Sequence, residues 1–117
     1  MRKTIVLLLS LAVILGCMAV PVAAADDFIR RYNYSTVNEF HGISMKKLKF
    51  AVEYKGQVKI TTRLGFKKSG DNNLYGGKTT TKKYNSNKWS WAIHYSNLVD
   101  SSIGANTPYY EFTAYRY

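Results

Sequence analysis

Histidines and carboxylates are the side chains of this sequence that could do acid–base chemistry, but their spacing does not bring them together. The histidines are His41 and His94. Ser90 shares a strand face with His94 but lies about 13 Å away along an extended chain, too far for a nucleophile and its base. The glutamates show no spacing typical of a glycosidase pair; they are Glu39, Glu53 and Glu111. No metal-binding cluster is visible either. We therefore expect that the protein is not an enzyme, has no catalytic residue and binds no metal or cofactor.

Both tryptophans lie in one segment, KWSWAIHY, at residues 88–95. Strand alternation would place the large side chains on one face: Trp89, Trp91, Ile93 and Tyr95. A face of this size predicts mainly core packing, with Trp89 near the strand end as a candidate surface for stacking on sugar rings or bases. On the opposite face, His94 is expected to be a hydrogen-bonded structural histidine and not a pH switch.

Basic residues are interleaved with aromatic residues, and this interleaving is the main binding signal. The candidate ligand-binding residues are Lys47, Lys49, Lys59, Arg63, Trp89 and Tyr84. Such a surface would bind polymers that carry phosphate or carboxylate groups, and binding would weaken as salt is added. The alternative is that the lysines serve solubility and guard strand edges.

Two alternating runs, residues 47–54 and 58–66, would position the basic residues. In an antiparallel hairpin, residues that lie opposite one another share a face. A three-residue loop, Lys55-Gly56-Gln57, would align the two apolar faces, whereas a two-residue turn would set apolar residues against polar ones. The sequence therefore predicts a hairpin with this loop or a bulge, and with the four basic residues on its outer surface.

Strand-like patterns continue along the rest of the chain, and helical periodicity is essentially absent after residue 25. Lys78–Tyr84 lacks an apolar face, which predicts an exposed edge strand, and residues 85–87 predict a turn. The C-terminal segment PYYEFTAYRY predicts another strand. Short strands separated by turns predict an all-β domain, a small antiparallel β-sandwich or barrel of about five to six strands.

The N-terminus has the pattern of a secretory signal peptide. Basic residues precede an apolar run, and Ala23-Ala24-Ala25 offers small residues for cleavage. We expect residues 1–25 to be a cleaved signal peptide and residues 26–117 to be a single β domain. The alternative is a lipobox ending at Cys17, which would leave the protein anchored by lipid. Cys17 is the single cysteine, so the secreted domain would depend on its aromatic core and not on disulfides.

The formal net charge is +10 at pH 7, which favours an anionic partner. We expect an envelope polymer or a membrane surface rather than nucleic acid, and the sequence leaves the oligomeric state open.

The layout, free of cysteine after residue 25 and ending in an aromatic strand, resembles small secreted bacterial β-sandwich proteins, including bacteriocins of the lactococcin 972 type. The glycine-rich N-terminal portion of that family is missing here, and no residue role is carried over. We expect a secreted protein that binds an anionic cell-envelope surface, with a bacteriocin-like antimicrobial role as the sharpest form. The alternative is a carbohydrate-binding or inhibitor-like module that recognises a neutral ligand or a protein through exposed Trp and Tyr.

Overall fold

A computed structural model describes residues 20–21 and 28–117. The strands are β1 (Val20–Pro21), β2 (Ile29–Phe40), β3 (Ser44–Lys67), β4 (Tyr75–Tyr95), β5 (Val99–Asp100) and β6 (Thr107–Arg116). A short 3-10 helix, η1, spans Ser101–Ile103. The strands run in the order β1-β2-β3-β4, and β5 and β6 also pair with β3. Apart from β1, the predicted signal peptide at residues 1–25 lies outside the described residues.

β3 is one continuous strand, so the predicted hairpin between residues 47–54 and 58–66 is wrong. The first run pairs with β2 and with the second half of β4. The second run pairs with β6 and with the first half of β4. Where the loop was expected, the register shifts between Tyr54 and Gly56, and Gly56 has a φ of 90°. The extra residues at this shift lie on β4, where residues 86–90 face residues 54–56 of β3, so the bulge belongs to β4 and Gly56 continues β3 instead of forming a turn.

β3 bends sharply, and the bend closes an aromatic core. Thr62, the cross-strand partner of Phe112 on β6, would lie about 40 Å from Phe50 along a straight strand. The rings of Phe50 and Phe112 are nevertheless 5.3 Å apart. Tyr32 of β2 and Tyr110 of β6 join the same cluster, with their hydroxyl groups 3.2 Å apart. The inner faces of the two halves of the sheet thus pack against each other.

The predicted all-β, antiparallel class is confirmed, but the finer architecture is not. The described strands belong to one sheet, and this sheet is open. It is therefore not a closed barrel, and a sandwich of two separate sheets is not confirmed.

β4 forms an exposed edge in its first half, as the sequence predicts for Lys78–Tyr84. In the described sheet β4 pairs with β3 alone, and Lys78, Lys82 and Lys83 are exposed. The turn predicted at residues 85–87 is wrong, because β4 continues through it to Tyr95. A bulge at this point lets β4 follow the bend of β3.

Candidate aromatic and cationic surface

The second half of β4 turns its large side chains outward, which reverses the predicted core packing. The exposed fractions are 40% for Trp91, 42% for Ile93 and 38% for Tyr95, whereas Ala92 and His94 are buried. The register explains this reversal, since Ala92 lies opposite Val52 and His94 lies opposite Phe50. Residues that lie opposite one another share a face, so the small residues of β4 follow the buried face of β3. We call Trp89, Trp91, Ile93 and Tyr95 the aromatic stripe.

Positive side chains surround the aromatic stripe. The Arg30 guanidinium lies 4.6 Å from the centre of the Trp89 ring, and Arg31 lies 5.3 Å from that of Trp91. The Lys47 ammonium is 4.6 Å from the Tyr95 ring centre. Lys55 is 6.0 Å from that of Trp89, and Lys49 pairs with Tyr95 across the strands. We call Arg30, Arg31, Lys47, Lys49 and Lys55 the cationic rim.

Glu53 fixes two members of the cationic rim in place. Its carboxylate accepts hydrogen bonds from Arg30 Nε (3.0 Å), Arg30 Nη2 (2.9 Å) and Arg31 Nε (2.8 Å). The hydrogen bond from Arg30 is the largest of the effects that hold the pKa of Glu53 below its usual value. The side chain of Glu53 is only 5% exposed, so the two guanidinium groups are held at a fixed point beside Trp89 and Trp91. The surface is therefore organised before any ligand arrives.

The structure divides the four predicted basic residues between two places. Lys47, Lys49, Lys59 and Arg63 all lie on the outward face of β3, as predicted, but the first two and the last two lie on opposite halves of the bent strand. Lys47 lies at the aromatic stripe and pairs with Glu39 at 2.6 Å. Lys59 and Arg63 lie beside β6 instead, where Arg63 pairs with Glu111 at 3.3 Å. The single cationic cluster expected from a hairpin therefore does not form.

Tyr84, the remaining predicted residue, faces the core and does not join the aromatic stripe. Its ring lies 5.1 Å from that of Tyr54. Its hydroxyl group is 2.7 Å from His94 Nε2, and His94 Nδ1 is 2.7 Å from Thr62 Oγ1. This arrangement confirms that His94 is a buried, hydrogen-bonded histidine. Burial first, and then the charges of Lys82 and Lys78, lower the pKa of His94.

Sequence reasoning missed the arginines of the rim and a second exposed apolar feature. Arg30 and Arg31 stand side by side in the sequence, but only the pairing of β2 with β3 brings them to Glu53. At the turn between β2 and β3, Phe40 is 78% exposed and Ile43 is 51% exposed. The sequence did contain a sign of this feature, because Phe40 and Ile43 lie on either side of Gly42, and a glycine often marks an exposed turn.

Three specific features are not found in residues 20–21 and 28–117. This part of the chain holds no group of three His, Cys, Asp or Glu residues that could bind a metal ion. It has no detectable pocket and no helix that is long and apolar enough to cross a membrane.

Comparison of the chain with protein-family models, with curated proteins and with solved structures finds no match.

Proposed function

We propose that this chain is a secreted binding protein that acts at an anionic cell-envelope surface through the aromatic stripe and the cationic rim. The observation that carries the proposal is the exposure of Trp91, Ile93 and Tyr95 on one sheet face beside positive side chains. Secretion through removal of residues 1–25 is part of the same proposal.

Electrostatic attraction brings the protein to the surface. Lys49 and Lys55 have no carboxylate within ion-pair distance among the described residues, whose ion pairs involve other basic groups. They are therefore available to phosphate or carboxylate groups of an envelope polymer or membrane. Near an anionic membrane each such residue contributes about 1 kcal/mol, and salt screens this attraction.

Aromatic contact then holds the protein at the surface. Trp and Tyr suit a boundary between apolar and wet surroundings because each combines a large apolar ring with a polar group. The hydrogen bonds to Glu53 already hold the Arg30 and Arg31 side chains in place. These two side chains therefore lose less conformational entropy when the protein binds its ligand. The most specific version of this proposal is an antimicrobial, bacteriocin-like role.

A second candidate function follows from the exposure of Trp91. A tryptophan that is 40% exposed on a rigid sheet can stack on the ring of a neutral sugar. In this alternative the protein is a carbohydrate-binding or inhibitor-like module. Its binding would persist at high salt, because ring stacking needs no net charge.

Cosedimentation with isolated Gram-positive cell envelopes tests the proposal. The wild-type protein is compared with Trp91→Ala at low and at high salt, and growth inhibition is scored in parallel. Tyr115→Ala is the matched control, since Tyr115 also lies beside a lysine, Lys59, but on the other half of the sheet.

We expect wild-type binding at low salt that is lost at high salt. Trp91→Ala should bind about tenfold more weakly, as expected for the loss of about 1–3 kcal/mol of aromatic contact, and Tyr115→Ala should bind nearly as well as wild type. Binding that survives high salt would favour the neutral-sugar alternative. A protein that binds at neither salt concentration would contradict the envelope proposal and would leave recognition of a soluble partner as the alternative.

A further inference from the structure

Beyond Gly76 and Gly77, whose carbonyl groups accept hydrogen bonds from Asn97, no described strand covers the outer edge of β4, and the second half of β4 directs backbone groups away from the sheet. In the described part of the chain, β4 pairs with β3 alone. The Ser96 N–H donates to the Leu48 carbonyl at 2.9 Å. In an antiparallel ladder, residues alternate between facing the partner strand and facing away from it. His94 and Ala92 therefore face β3, whereas the N–H and C=O groups of Trp91 and Ile93 point to the open edge.

The two halves of this edge differ in how they are protected against pairing. Lys78, Lys82 and Lys83 are exposed along the first half, and lysines on an edge strand discourage pairing with other chains. The segment Trp89–Tyr95 contains no charged residue, no proline and no glycine. Uncharged segments rich in aromatic and β-branched residues are those that pair most readily along an exposed edge.

The segment is also nearly symmetrical about Ala92. Aromatic residues occupy both ends, as Trp89 and Tyr95, and large apolar residues flank the centre, as Trp91 and Ile93. A pattern that reads similarly in both directions matches itself when two strands run antiparallel. Two-fold interfaces require this self-complementarity, because the same patch meets itself.

We propose that the Trp89–Tyr95 edge pairs antiparallel with the same edge of a second copy of this chain, about a two-fold axis at Ala92. In this register Trp91 lies opposite Ile93 of the second copy, and Trp89 lies opposite Tyr95 of the second copy. These are the residues whose N–H and C=O groups point to the open edge, so each opposed pair exchanges two hydrogen bonds. Lys88 of one copy meets Ser96 of the other, and no like charges lie opposite one another.

Pairing in this register joins the aromatic stripes of the two copies into one surface. Residues that lie opposite one another share a face, so both stripes point outward on the same side of the extended sheet. The dimer does not depend on the proposed envelope ligand, and its response to salt is opposite. Salt screens the repulsion between two basic copies and strengthens pairing, whereas it weakens attachment to an anionic surface.

Sedimentation equilibrium of the purified protein over a wide concentration range tests the dimer, and amide hydrogen exchange tests its register. We expect dimers that increase with concentration and with salt. The amide protons of Trp91 and Ile93 should exchange more slowly as the dimer forms. Because the paired segment is short, the dimer should dissociate on dilution.

Ile93→Pro and Ile93→Thr form a matched pair of variants at one position. Proline is tolerated on an edge strand and removes the Ile93 N–H from both copies. It should raise the dissociation constant of the dimer at least about tenfold, through the loss of two hydrogen bonds. Threonine keeps the N–H and should have a smaller effect.

A protein that stays monomeric at all concentrations would overturn the proposal. A dimer that Ile93→Pro leaves intact, or one in which the Trp91 and Ile93 amides exchange at the monomer rate, would do the same. The exchange of the wild-type amides decides the matter even where the proline variant fails to fold.

Discussion

At the scale of single residues, alternation in KWSWAIHY correctly divided the segment into two faces but could not say which face is buried. The partner strand decides this, because Ala92 and His94 lie opposite buried residues of β3. The sequence therefore predicted a hydrogen-bonded His94 correctly and the burial of Trp91 wrongly. Glu53 lies 23 residues after Arg30 and 22 residues after Arg31, and no local pattern shows that it meets them.

The buried His94 should make stability depend on pH. Its pKa is lowered in the fold by burial and by Lys82 and Lys78, so protons bind more readily to the unfolded chain. Stability is then full above the unfolded-state pKa of about 6.5 and falls as pH drops below it, by at most about 1.4 kcal/mol per pH unit. Urea unfolding of wild type and His94→Gln at pH 7.5 and 5.5 measures this.

In His94→Gln the fall in stability between these pH values should be smaller than in wild type. The glutamine amide offers both a donor and an acceptor to Thr62 and Tyr84, and it does not titrate. Equal pH dependence in the two proteins would show that His94 does not carry the effect.

Removal of the Glu53 charge should destabilise the fold and should also make the Arg30 and Arg31 side chains more mobile. Glu53→Gln leaves Arg30 and Arg31 without their carboxylate, which should cost about 2 kcal/mol because charge-assisted hydrogen bonds are lost. The pKa of Glu53 is lowered in the fold, so its contribution is present above about pH 4.3 and is lost as pH falls below that. Urea unfolding and tryptophan fluorescence measure the two effects.

Glu111→Gln is the control for this variant. Its ion pair with Arg63 is more exposed, so its loss should cost less than about 1 kcal/mol. The emission of Trp89 and Trp91 should change in Glu53→Gln and stay constant in Glu111→Gln. Equal changes in stability and in tryptophan emission in the two variants would contradict the role of Glu53 in holding Arg30 and Arg31.

At the scale of elements, alternation predicted the strands well and their pairing poorly. The large apolar residues of 47–54 and 58–66 all carry even numbers, and this parity suits either a hairpin with a three-residue loop or one continuous strand. Gly56 is consistent with both, as a turn residue or as the positive-φ residue inside a continuous strand that it is. What separates the two cases is contact with β2 and β6, which are distant in the sequence.

The start of β4 is held by a close contact at Gly76, and a methyl group there should be costly. Gly76 has a φ of 68°, and a Cβ atom would lie 2.4 Å from Val99 Cγ2 and 2.8 Å from the Asn97 carbonyl oxygen. The Asn97 N–H also donates to the Gly76 carbonyl at 2.9 Å. Gly76→Ala should lower the free energy of unfolding by about 3 kcal/mol, through steric overlap and backbone strain.

Gly70→Ala is the matched control, since Gly70 has a φ of 77° but nothing within 4 Å of a Cβ atom. It should cost only about 1 kcal/mol, from the backbone conformation alone. Urea unfolding of both variants gives the difference. If both variants lose the same free energy of unfolding, Val99 and Asn97 do not exclude a methyl group at position 76.

At the scale of the whole molecule, alternating runs separated by turn signals predicted the all-β class, whereas the open, bent sheet depends on contacts between distant strands. The bend gives the protein two outward faces, and both carry lysines beside aromatic rings. Lys49 and Lys55 lie with the aromatic stripe. Lys59 and Lys83 lie beside Tyr115 and Tyr117 on the other half. Net charge alone cannot distinguish the two faces.

The most direct test compares two double variants that carry the same net charge. Lys49→Gln/Lys55→Gln removes charge from the cationic rim, and Lys59→Gln/Lys83→Gln removes it from the other half. In cosedimentation with Gram-positive envelopes at low salt, the rim variant should bind at least about tenfold more weakly than wild type, at about 1 kcal/mol for each lysine. The other variant should lose no more than a few-fold. Equal losses, or a larger loss in the second variant, would contradict the assignment of binding to the aromatic stripe and the cationic rim.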